Sequence, residues 1–401
     1  MYRVGGKKVR ETIGTLATIP NVAHARERAR ESMRQAEAGI HPVIARKQKL
    51  PMSPEGPLFA AVAERYLVEY VERNTRPATS RETRRLLERD VFPRWGARPI
   101  REITKADVND LLDIKAAVRD RPRKGRNAGA GIQANRTLTR LRTFFRWAKD
   151  MDLIDADPAE GVRRRVKETA RDRALSDDEI RLFWISCDRL GWPFGPLFKL
   201  LLLTGQRLGE VAGMDWGEIE LEKRQWTIPR HRAKNDRTHV VHLSNQALAI
   251  IESLPQIEVP QDAGGKPLIA ARFLFTTTGL KPVSGFSHAK AAVDRYMLVL
   301  LGKELAGQGR EAAEASIDDW ILHDLRRSAA TGMAGMNIPP HVVDKILNHV
   351  SGTIRGVAAV YNRHAYLEER KAALEAWGRY VEDLVRPVGG NVVELATALT
   401  T

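Results

Sequence analysis

The sequence has almost no cysteine: Cys187 stands alone among 401 residues. That excludes an internal disulfide framework and a cysteine-rich zinc site. No apolar run approaches the roughly 20 residues a membrane helix needs, so no membrane partner is expected. The opening MYRVGGKKVRET has no apolar core of the secretory type, which predicts a cytoplasmic protein. Walker loops, HExxH pairs and acidic metal clusters are also missing, so nothing in the chain calls for a metal, ATP or another cofactor. What the sequence has in excess is positive charge. Lys and Arg number 65 against 50 Asp and Glu, a net of +15. The excess is uneven: residues 1–56 carry +6 and residues 57–170 carry +9, while 171–401 holds 28 charges of each sign. A basic first part beside a balanced second part points to a polyanion grip, nucleic acid above all, attached to something else.

The length predicts two or three domains. Tyr2–Leu16 reads as two short strands around a Gly5-Gly6 turn, and Val22–Gly39, rich in Ala, Arg and Glu, reads as a helix. Four prolines around RKQK make Ile40–Pro57 a linker. Helices are expected over Leu58–Glu72, over Thr79–Phe92 with a stop at Pro93, over Thr104–Lys115 behind a Thr104/Asp107 cap, and over Gln133–Lys149. The basic, Gly/Pro-containing stretch Arg119–Gly131 reads as a flexible loop, and Arg163–Arg173 as a charged, flexible connector. Beyond it, Ser176 and Glu179 form a capping pair, Leu197–Leu203 is a buried helix, and Gln225–Ile228 pairs with Thr238–Leu243 across a polar turn. Ser244 starts a further helix, Pro255–Ala271 is expected to be a loop and Arg272–Thr277 a short strand. Helices then dominate to about Leu384.

Five features of the second half carry possible chemistry. Arg207 opens a helix in LTGQRLGE, with Glu210 three residues on to hold its guanidinium. Lys234 sits in the turn RHRAKNDRTH. His323 and Arg326 lie three apart at a helix start, where an anion is favoured. His349 ends a helix that opens at Pro339-Pro340, and Tyr361 follows in VYNRH. Singly, each has an ordinary structural explanation: a surface ion pair, a solvated turn, a capped helix start, a core histidine or tyrosine.

Together and in this order, LTGQRLGE, HDLRRSAATGMAGM, ILNHVSG and AVYNRHAYLEERKAALEAW resemble the tyrosine recombinases, the family of phage integrases, and in particular the prophage and genomic-island subgroup. The resemblance implies a mostly α, multidomain fold: an all-α helical bundle and an α+β catalytic domain with a small antiparallel sheet, behind a short α/β N-terminal fragment. It implies a partial arm-type DNA-binding module and linker at 1–50, a core-binding domain at 57–165, a catalytic domain at 171–385 and a tail at 386–401. It also implies a site-specific recombinase that integrates or excises a mobile element. Tyr361 would be the nucleophile, Arg207, Arg326 and His349 would hold the phosphate, Lys234 would be the leaving-group acid and His323 the auxiliary base, with Glu210 behind Arg207. The implied partners are double-stranded DNA attachment sites, three further copies of the chain in a tetramer, a host DNA-bending protein and an excisionase. The helix after Tyr361 favours a recombinase, because such segments dock on neighbouring protomers in that family. The alternatives are a type IB topoisomerase-like enzyme and an inactive DNA-binding remnant. Candidate DNA contacts are Arg121, Arg123, Lys124, Arg126, Arg136 and Arg140. The chain departs from the family pattern at His242, where Pro is common. His231, His239 and His242 compete for the auxiliary-base role, as Tyr366 and Tyr380 do for the nucleophile's.

Overall fold

The computed structural model describes residues 2–4, 7–9, 22–37, 52–53, 56–117, 129–260, 268–349 and 364–386. The chain divides into two compact units, Met1–Ala170 and Arg171–Thr401, each with its own hydrophobic core.

The first unit opens with an antiparallel pair, β1 (Tyr2–Val4) and β2 (Lys7–Val9), in register Tyr2 to Val9. Helix α1 (Val22–Glu37) and a second small pair, β3 (Met52–Ser53) and β4 (Gly56–Pro57), follow. Then comes the expected helical bundle. Helix α2 (Phe59–Tyr66) buries Phe59, Val62, Ala63 and Tyr66, the spacing of one helical face. It continues through a π-helical turn, Leu67–Val71, and a last α turn, Glu72–Asn74. Helix α3 (Pro77–Leu86) likewise passes through a π turn, Leu87–Val91, into Phe92–Trp95. Here the expected stop at Pro93 fails. The π turn has already shifted the hydrogen bonds, with Phe92 N–H reaching back to Leu87 O, so the missing N–H of Pro93 interrupts no regular α ladder. Helix α4 (Lys105–Ala117) starts on the expected cap, with Thr104 N–H and Oγ1 donating to Asp107 at 2.8 and 2.7 Å. Helix α5 (Gly129–Asp150) absorbs the end of the expected Arg119–Gly131 loop. The core is aromatic: Phe59 lies 5.4 Å from Trp95 and 5.0 Å from Phe144 between ring centroids.

Arg163–Arg173 has no helix or strand, as expected, but it is anchored at both ends. Arg165 N–H donates to Asn135 Oδ1 and its guanidinium to Asn109, while Asn135 donates to Val166 O. At the other end Arg171 Nε bonds Asp324 Oδ2 at 2.9 Å.

The second unit is built around α7. Helix α6 (Asp177–Leu190) begins with the full Ser176/Glu179 capping box. Helix α7 (Phe194–Thr204) is buried almost all round. The short α8 (Leu208–Ala212) leads to a three-stranded antiparallel sheet, β5 (Ile219–Glu220), β6 (Gln225–Ile228) and β7 (His239–His242), one strand more than expected. Helix α9 (Asn245–Glu252) is capped by Ser244. The expected strand at 272–277 is absent. Leu274 and Phe275 are both fully buried, whereas a strand with one solvated face would alternate. Pairing falls instead at β8 (Glu258–Pro260) and β9 (Leu268–Ala270), inside the expected loop. Helices α10 (Phe286–Gly307), α11 (Leu322–Gly335), α12 (Pro340–Ile346) and α13 (Leu367–Val385) complete the unit. Helix α13 packs into its own unit. Trp377 is fully buried, and its Nε1 donates to Leu202 O at 2.9 Å.

Candidate active site

The site grows from the end of α7. Gly205 closes that helix in the left-handed conformation, φ +62°, and a Cβ there would lie 3.1 Å from Leu347 Cδ2. Only glycine meets both demands, and its buried carbonyl accepts from Arg326 Nη1 at 2.7 Å. The next residue, Gln206, is buried and donates to Thr204 O and Ile346 O, tying this turn to the end of α12.

Arg207 caps α8. Its backbone N–H and Nη1 both donate to the Glu210 carboxylate, each at 3.1 Å. The i,i+3 pair expected from sequence is therefore present, and it is a buried one: Glu210 is 4% exposed. Glu210 also accepts from the backbone N–H of Lys234 at 3.3 Å, and its own carbonyl accepts from Arg232 at 2.6 Å. One carboxylate thus positions both an arginine and the turn that carries the lysine. Lys234 itself is exposed, on the β6–β7 hairpin.

Arg326 lies on α11 and is 4% exposed. It has no carboxylate partner among the described residues. Its guanidinium donates to Gly205 O and Leu347 O, both neutral. Burial and the repulsion of Arg207 lower its pKa to about 10, against the attraction of Glu210. His323, on the first turn of α11, is exposed, so it and Arg326 sit at different depths. The helix start itself holds no vacancy for an anion: the fully buried Asp324 carboxylate already accepts from Ile321 N–H, Arg171 and Arg327. The positive potential comes from guanidinium groups.

The turn after α12 completes the arrangement. Asn348 takes a left-handed conformation, φ +49°. Its carbonyl accepts from Asn235 Nδ2 and lies 3.5 Å from Arg207 Nη2. His349 is exposed, with Nδ1 3.1 Å from Asp344 Oδ1. Partial desolvation, Arg326 and Arg207 hold the pKa of His349 below the usual 6.5, although Asp344 pulls the other way. His323 is lowered too, by desolvation, Arg326, Arg327 and Arg207 against Asp324. Both shifts favour the neutral imidazole.

The structure brings Arg207, Glu210, Arg326, the Lys234 turn and the His349 turn together, within electrostatic reach of His323. Tyr361 lies outside the described residues, as do Arg121, Arg123, Lys124 and Arg126. Arg136 is exposed and Arg140 half-buried on α5. Of the competing histidines, His239 is buried with Nε2 on Ile346 O at 3.0 Å, and His242 pairs with Glu375 at 2.8 Å. Each is occupied in holding β7 to its neighbours, while His231 is exposed. Tyr380 is occupied as well, with its hydroxyl 2.7 Å from Asp177. Sequence reading assigned no role to Asp324, Asp344, Asn235 or Asn348. Asp324 had a local signal, an acid at the third helical position. The Asn235–Asn348 contact spans 113 residues and had none.

Two guanidinium groups, one of them buried with no acid bonded to it among the described residues, can clamp the oxygens of a tetrahedral anion. Among the described residues no group of three or more His, Cys, Asp or Glu side chains could hold a metal ion, and no helix is long and apolar enough to cross a membrane.

The model of the phage integrase family matches residues 174–368, and that of the phage integrase central domain matches residues 59–165. Prophage integrase IntA of Escherichia coli (strain K12) is 26% identical over 96% of this chain and 84% of its own length. Prophage integrase IntZ of the same strain is 27% identical over 98% of this chain and 88% of its own. Among solved structures, the lambda integrase tetramer bound to a Holliday junction shares the fold at a TM-score of 0.53. Its identity is 17%, with 84% of this chain and 90% of that chain covered.

Proposed function

The chain belongs to the phage integrase family of tyrosine recombinases, and from that premise we propose that it integrates or excises a prophage or genomic island by cutting and rejoining DNA strands through Tyr361. The observation that carries this reading is Arg326, a buried cation that among the described residues donates only to backbone carbonyls, next to the Arg207–Glu210 pair. Burying an unpaired charge is costly, and a bound phosphate would offset that cost.

In the proposed reaction the Tyr361 oxygen attacks the scissile phosphorus and forms a 3′-phosphotyrosyl bond as the P–O5′ bond breaks. The phenolic proton passes to neutral His323. The departing 5′-oxygen takes a proton from the Lys234 ammonium. Arg207 and Arg326 hold the non-bridging oxygens, where negative charge grows in the transition state, and His349 adds a donor. Religation is the reverse reaction with the 5′-hydroxyl of another strand.

Under the same reading, residues 171–385 form the catalytic domain, 57–165 the core-binding domain, 1–50 a partial arm-type module and 386–401 a tail. Four copies would assemble on double-stranded attachment sites, as the lambda integrase tetramer does on a Holliday junction. A host DNA-bending protein and an excisionase would assist, in the cytoplasm at the nucleoid.

The test is cleavage of a nicked duplex built from the DNA flanking the gene, which traps covalent adducts. Arg207→Ala and Arg326→Ala should each lower adduct formation by roughly 10²–10³-fold, the usual scale for removing one oxyanion donor. Normal adduct formation by either variant would contradict the reading.

A further inference from the structure

The Lys234 turn is exposed, yet an acid that protonates a leaving group must stand within hydrogen-bond reach of it. An exposed hairpin tip left to itself samples many conformations. Here Arg232 ties the turn to Glu218 and to the Glu210 carbonyl, and two further bonds hold Lys234 and its neighbour directly. On one side, Lys234 N–H donates to the buried Glu210. On the other, Asn235 Nδ2 donates to the carbonyl of Asn348. That carbonyl only accepts, so the Asn235 amide has one useful orientation, nitrogen inward. Asn348 can turn its carbonyl this way because its backbone is left-handed, φ +49°, a conformation asparagine tolerates better than most residues. Its neighbour is His349, and Arg207 Nη2 approaches the same carbonyl at 3.5 Å. The Asn348 carbonyl is therefore a common anchor for the lysine turn, the clamp arginine and the histidine turn.

We propose that Asn235 is a positioning residue for the reaction: its bond to the Asn348 carbonyl holds Lys234 where it can protonate the leaving 5′-oxygen. The inference rests on the reaction assigned above, with Lys234 as the acid. In this role Asn235 is not itself a proton donor or nucleophile. It acts through its neighbour.

The experiment measures cleavage by full-length protein of two nicked duplexes, one with an ordinary scissile phosphate and one with sulfur in the 5′-bridging position. A 5′-thiolate leaves without a proton, so cleavage of the second duplex needs no acid. Asn235→Ala should cut the ordinary phosphate roughly ten- to hundredfold more slowly, the scale of a catalytic group displaced by about 1 Å. It should cleave the sulfur duplex at close to the wild-type rate, with Tm unchanged. In a Lys234→Ala background the same substitution should have no further effect on the ordinary phosphate, because the acid it positions is gone. An equal loss on both duplexes, a loss that persists without Lys234, or no loss at all would each overturn the proposal. If Lys234→Ala itself cleaves normally, the assignment of the acid fails first.

Discussion

At the scale of single residues, the site is organised around charge that is buried on one side only. Glu210 neutralises Arg207, and nothing acidic among the described residues touches Arg326. A tetrahedral dianion should therefore bind before any DNA does. Sulfate in the millimolar range is expected to raise the Tm of the wild type, because a ligand bound only to the native state stabilises it. The Arg326→Met variant should lose that increase. Equal increases in both proteins, read by differential scanning fluorimetry, would contradict the account. A second prediction concerns His239, whose pKa burial drives from 6.5 down to about 3, helped by Arg370, Arg326 and Arg207 and opposed by its bond to Ile346 O. Below pH 6.5 the unfolded chain takes up a proton that the native state refuses. The contribution of this group to stability is thus complete above pH 6.5 and is lost progressively as pH falls towards 3. His239→Gln keeps a donor for Ile346 O and cannot titrate. It should lose less Tm than the wild type between pH 7 and pH 5, and equal losses would show that His239 is not the group responsible. Residues paired locally, such as Arg207 with Glu210, were legible in the sequence. Asn235 was not, because its partner lies 113 residues away and is brought near only by the tertiary fold.

Among the elements, short-range chemistry read well and tertiary choices did not. Ser176 with Glu179 and Thr104 with Asp107 stand as expected because a cap is decided within four residues. Pro93 and the 272–277 stretch were misread for the opposite reason. A π turn upstream removed the penalty of the proline, and burial of adjacent Leu274 and Phe275 overrode a strand-like composition. The docking of α13 was also hidden, since an amphipathic helix does not say whose core it will enter. In the structure it lies so close to α11 that a Cβ on Gly332 would sit 2.2 Å from Trp377 Cζ3 and 2.7 Å from Cη2. Trp377 is fully buried and cannot yield. Gly332→Ala is expected to destabilise the second unit by about 1–3 kcal/mol, as overpacking does. An unchanged urea midpoint would show that α13 does not rest on α11.

Across the whole molecule, charge and chemistry are divided between the two units. Residues 171–401 carry no net charge, while residues 1–170 carry all of the excess. Each unit has its own core, so a fragment beginning at Arg171 should fold. It should bind site DNA much more weakly than the full chain, and with a shallower salt dependence, since each phosphate neutralised contributes a slope of about −0.9. Equal affinity and equal slope would mean that the charge of the first unit serves another purpose. Whether this chain cuts DNA by joining it to Tyr361 is read by trapping the wild-type protein on a nicked duplex, digesting the adduct with trypsin and finding the modified peptide by mass spectrometry. Tyr361 is the sole tyrosine of the tryptic peptide 356–363, and Tyr366 falls in 364–370. A nucleotide is expected on 356–363, and no adduct from Tyr361→Phe. A nucleotide on 364–370, or an undiminished adduct from Tyr361→Phe, would contradict it.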